Sequence, residues 1–107
     1  MKWLSLNDIK DQLRIERDFK DDDKLLTRYG ESAENTILNI CRRTYDDFIS
    51  EYGNIPEDIV EASLLLVTVS YEHRAAVSQY QMYGVGYAFD IKVKPYMKLT
   101  LDSEDAQ

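Results

Sequence analysis

Apolar residues recur at helical spacing through the first three quarters of the chain. Leu6, Ile9 and Leu13 follow one another three or four positions apart, which predicts a short amphipathic helix over about residues 6–14. Ser5 can cap it, and Asp8 sits three residues later, in the place usually taken by the Glu or Gln of a capping box. The pattern breaks from Ile15 to Lys20, which reads as a connecting turn. After Asp21-Asp22-Asp23 the positions Leu25, Leu26, Tyr29, Ala33, Ile37, Ile40 and Cys41 restore the period and predict a helix over about 22–43. Acids suit the positive end of its dipole, and Arg42 and Arg43 suit the other end. Gly30 falls inside this helix at a cost of ~1 kcal/mol relative to alanine, and a close helix–helix approach there would account for it.

Thr44 can cap a second short helix, with Phe48, Ile49 and Tyr52 apolar and Gly53 as the stop. Asn54-Ile55-Pro56-Glu57-Asp58 restarts the pattern, because proline and acids are favoured in a first helical turn. From Ile59 to Val77 the chain is apolar nearly all round. Such a helix belongs in the centre of a domain or at a subunit contact, and this one is the expected central helix. Leu66→Ala would cost ~2–5 kcal/mol if that site is fully buried. Ser78 to Phe89 loses the helical period. Its Tyr80, Tyr83, Tyr87 and Phe89, with Gly84 and Gly86, read as an irregular or hairpin-like aromatic loop. Asp90-Ile91-Lys92-Val93-Lys94 alternates like a short strand, with a short C-terminal helix near Pro95 to Leu101 as the other option. The expected fold is all-α: a small bundle of about four to five helices with a long buried central helix and an irregular aromatic loop near the C-terminus. Residues 1–101 are expected to form a single domain and residues 102–107 a polar tail that frays.

Composition narrows the function classes. The chain has 107 residues and a net charge of -7. That length suits one domain, able to bury roughly 60–70% of the surface its unfolded form exposes. The charge is spread evenly: residues 1–53 carry nine basic and twelve acidic side chains, and residues 54–107 carry four and eight. An acidic balance with no basic patch argues against a primary duplex-DNA binder, since phosphate neutralisation needs clustered Lys and Arg. The longest aliphatic run, Leu64-Leu65-Leu66-Val67, is far short of the ~20 residues that span a bilayer, and no secretory signal opens the chain. A single cysteine, Cys41, excludes an internal disulfide and a thiolate zinc cage.

No catalytic motif survives inspection. His73 is the only histidine; a metal helix motif needs a second one four residues on, where Val77 stands. A pair with Cys41 has no local signature, and Cys41 itself falls on an apolar helix face, as a small buried hydrophobe does. Asp21-Asp22-Asp23 does not alternate ligands as a calcium loop does and reads as a solvated helix start. Asp46-Asp47 are neighbours on a short helix, without the separation that an acid–base pair needs. Gly84-Val85-Gly86 lacks the third glycine and the Lys-Ser/Thr of a phosphate loop. The aromatic loop is the least ordinary feature. Tyr80, Tyr83, Tyr87 and Phe89 suit an interface core and are the candidate subunit-contact residues, with Trp3 as a weaker one; equally, the loop could fold back over its own core.

Three stretches together resemble a known family. Leu6-Asn7-Asp8-Ile9-Lys10-Asp11-Gln12-Leu13-Arg14-Ile15 is an opening helix with a Leu-Arg-Ile turn, followed by Asp22, Asp23, Leu25 and Leu26 opening a long helix through Ala33 and Ile37. Ile55-Pro56-Glu57-Asp58-Ile59-Val60-Glu61-Ala62 runs into Leu64-Leu65-Leu66-Val67 and then Tyr71-Glu72-His73-Arg74-Ala75-Ala76. Pro95-Tyr96 stands near the end, followed by Met97 where family members often have Arg. In this order they resemble the small head–tail connector (head-completion, or adaptor) proteins of tailed bacteriophages, over about residues 4–97. The resemblance implies an all-α structural subunit, with no enzymatic activity and no cofactor. It would form a ring with copies of itself beneath the portal protein, extend the DNA channel and offer a platform to a tail-proximal completion protein. DNA would pass through the lumen without sequence-specific binding, helped by an acidic wall that repels phosphate. The implied location is the head–tail interface of the virion, and the host cytoplasm during assembly, including from a prophage; no membrane is involved. Two readings compete: a small helical protein–protein adaptor or regulatory module with no virion role, and a divalent-metal enzyme, which would need several carboxylates converging in a cleft.

Overall fold

A computed structural model describes residues 1–72 and 88–98. They are all-α, with no strand among the described residues. The elements are α1 (Leu6–Leu13), α2 (Asp23–Cys41), α3 (Tyr45–Tyr52), α4 (Glu57–Glu72), a helical segment over 88–93 and a 3₁₀ turn, Lys94–Tyr96.

Local chemistry sets the boundaries. The Ser5 hydroxyl accepts the Asp8 N–H at 3.0 Å and starts α1. Thr44 and Asp47 form a reciprocal capping box at α3, Asp47 N–H to Thr44 Oγ1 at 3.0 Å and Thr44 N–H to Asp47 Oδ2 at 2.9 Å. The Thr44 N–H and, beyond it, the Lys98 ammonium hold the Asp47 carboxyl below the usual carboxylate range. Helices α1, α2 and α3 each end on a left-handed residue: Arg14 at φ 62°, Arg42 at φ 59° and Gly53 at φ 82°. That conformation lets the N–H groups of Ile15 and Arg43 reach back to the carbonyls of Lys10 and Leu38, at 2.8 and 3.2 Å.

Helix α4 is the central helix, as its all-round apolar pattern predicts, and it is wrapped by this chain's own elements. One face, with Ile59, Ala62 and Val67 buried, packs along α2. Val60 and Leu64 meet the α1 side, where Gln12 donates to the Thr68 hydroxyl at 3.5 Å. Glu61 and Leu65 line a groove with Ala88 and Lys92 of the last helical segment. Two core clusters result. Leu4, Ile9, Leu26, Ala33 and Val67 form one; Ile37, Cys41, Phe48, Ile59, Ala62, Phe89 and Val93 form the other. Trp3 and Leu66 pack against both and join them. Leu66 is half-buried rather than fully enclosed.

The strand-like reading of 90–94 is corrected by the structure. Residues 88–93 are helical. Phe89 and Val93, four apart, are buried, while Ile91 is 57% exposed. A strand would put Ile91 and Val93 on one face; the helical period separates them and lets the core take Phe89 with Val93. Of the alternative, a helix near Pro95 to Leu101, the described part is the 3₁₀ turn Lys94–Tyr96 followed by an extended Met97; 99–101 lie outside the described residues. Gly30 is explained by a close approach, made mainly by the N-terminal arm: a Cβ there would lie 2.2 Å from Met1 Sδ and 3.0 Å from Ile9 Cδ1 of α1.

Candidate functional site

The five candidate contact residues divide. Tyr80, Tyr83 and Tyr87 lie outside the described residues, as do His73 and the Gly84-Val85-Gly86 stretch. Phe89 is only 7% exposed and belongs to the core cluster around Ile37, Phe48 and Val93. That ring packs onto the chain's own core, and little of its area faces outward. Trp3 is half-buried; its indole N–H donates to the Ser63 hydroxyl at 2.9 Å, and the Ser63 hydroxyl donates in turn to the Ile59 carbonyl at 2.8 Å.

Trp3 belongs to an arm, residues 1–4, held by one carboxylate. Glu34, on the inner face of α2, is 3% exposed. Its oxygens accept the backbone N–H groups of Lys2 at 2.7 Å, Trp3 at 2.9 Å and Leu4 at 2.8 Å. A buried carboxylate is tolerable only when its lone pairs are met in this way. A second buried ion pins the turn after α1. Lys10, 2% exposed, places its ammonium 2.7 Å from Asp23 Oδ1, and it donates to the carbonyls of Arg17 at 3.1 Å and Phe19 at 2.6 Å. Two carbonyls thus accept from the ammonium, and the Asp23 carboxylate balances its charge. Of the acidic triplet, Asp23 is therefore paired, and Asp22 accepts the Tyr71 hydroxyl at 2.7 Å. Asp22 makes no side-chain cap bond to α2.

At the other end, Arg43 gathers the pieces that follow α2. Its guanidinium lies 5.6 Å from the Phe48 ring centroid and 5.4 Å from that of Tyr52. It donates to the Tyr96 carbonyl at 2.7 Å and pairs with Glu51. The Tyr52 and Tyr96 rings meet edge-on at 5.4 Å, and the Lys98 N–H closes the join on the Cys41 carbonyl at 3.0 Å. Outside this clasp Ile49, Tyr52 and Met97 are exposed. Burial pushes the Cys41 thiol up to about 11, with the Arg43 charge pulling the other way. A thiol so placed is protonated at neutral pH and inert as a nucleophile.

Chemically, these arrangements hold segments together. No group of three or more His, Cys, Asp or Glu residues placed to hold a metal occurs among the described residues. Nor is any described helix long and apolar enough to cross a membrane. A groove lined by Lys2, Asn39, Arg43, Thr44 and Asp46 among others is open to solvent. Glu34, Lys10 and Arg43 were not singled out by sequence reasoning. The one available signal was a charged residue on an otherwise apolar helical face, which Glu34 shows beside Ala33 and Ile37.

Comparison with curated proteins and with solved structures found no match. A family model described as phage gp6-like head–tail connector protein matches residues 4–106. The match runs from the last residue of the arm past the Arg43 clasp, and so takes in Lys10, Glu34 and Arg43; the chain belongs to the phage gp6-like head–tail connector family.

Proposed function

We propose that this chain is a structural subunit of a phage head–tail connector. Copies of it form a ring beneath the portal protein, lengthen the DNA channel and seat a tail-proximal completion protein. The observation that carries this reading is the family match over residues 4–106. The physical chemistry is compatible with it. A net charge of -7 suits a lumen along which phosphate slides rather than sticks. A closed ring uses heterologous contacts, so two different faces of each subunit must meet. Tyr80, Tyr83 and Tyr87 are the residues assigned to that contact, with Trp3 as a weaker candidate, while Phe89 packs inward. Residues 1–101 act as one unit in this role, and its setting is the virion, after assembly in the host cytoplasm. No bond-making chemistry is assigned to the chain.

The test is a mass measurement of the purified chain, alone and mixed with the portal protein of the same phage, with electron micrographs of the mixture. A ring stacked on the portal is the expected result. A free monomer is compatible with it if the portal templates assembly. Failure to bind the portal in a pull-down, or a symmetric dimer unchanged by portal protein, would overturn it and favour an adaptor outside the virion.

A further inference from the structure

We draw no further inference here: the strongest candidate, the exposed apolar face made by Ile49 and Tyr52 of α3 with Met97 beside the Lys94–Tyr96 turn, carries nothing because nothing in the structure shows what covers it.

Discussion

The Glu34 carboxylate is enclosed, and its bonds go to main-chain donors that have no other partner in reach. Glu34→Ala therefore leaves the buried Leu4 N–H and the partly buried N–H groups of Lys2 and Trp3 unmet, at ~1–3 kcal/mol each where water cannot enter. We expect a loss of about 3 kcal/mol in urea unfolding, with a red shift in the emission of Trp3, the one tryptophan, as the arm leaves the core. A loss under about 1 kcal/mol without a shift would mean that water replaces the carboxylate freely. Cys41 gives a pH dependence of opposite character. Its folded value, about 11, lies above the 9.0 of a free thiol, so the native state holds the proton more tightly. The associated stability is complete below about pH 9 and is lost as pH rises toward 11, on the order of 2–3 kcal/mol in all. Cys41→Ala should flatten that alkaline slope relative to the parent. An unchanged slope would assign it to tyrosines and lysines instead. Arg42 shows a different strain, a β-carbon in the left-handed region. Arg42→Gly should raise the melting temperature, by the equivalent of up to about 1 kcal/mol; a fall would mean that the Arg42 side chain does more than terminate α2.

Helix α4 touches α1, α2 and the 88–93 segment, so a truncation in it is felt by several elements at once. Leu66 packs against both core clusters yet is only half-buried. Leu66→Ala should then cost about 2 kcal/mol, the low end of the range for leucine truncation, measured as a shift in the urea midpoint. A cost above 4 kcal/mol would require Leu66 to be enclosed on all sides. The helices themselves were legible because their signals are local: Ser5, Thr44, Gly53 and Pro56 all act within one turn of the chain. The ends at Arg14 and Arg42 were harder to place, since no glycine marks them and the backbone turn alone makes them. The segment after Phe89 was misread for a related reason. Five alternating residues fit a strand or a helix equally well, and only the core formed by Ile37, Phe48 and Ile59, distant in sequence, selects the helical face with Phe89 and Val93. Glu34 and Arg43 reach partners across long stretches of chain, and Lys10 reaches carbonyls of an irregular turn; a side chain on an apolar face can hint at such a pin, but spacing does not name its backbone partner.

Across the whole molecule, three ionic side chains do the joining that loops cannot do for themselves. Glu34 fastens the arm, Lys10 the turn after α1, and Arg43 the C-terminal turn. Lys10 and Glu34 stand on helices and Arg43 just past the end of α2, and each grips backbone atoms of another segment, so segments with few apolar side chains still acquire one position. A subunit destined to contact neighbours gains from this, because its outward edges are set before any partner arrives. The Glu34 grip has a consequence for variation. It reads amides, which every residue but proline owns, and is indifferent to what hangs from them. Lys2, whose exposed side chain meets the Tyr45 ring at 5.6 Å, could be exchanged at the cost of that contact alone and the tether would survive, whereas a proline there would delete one of the donors and loosen residues 1–4.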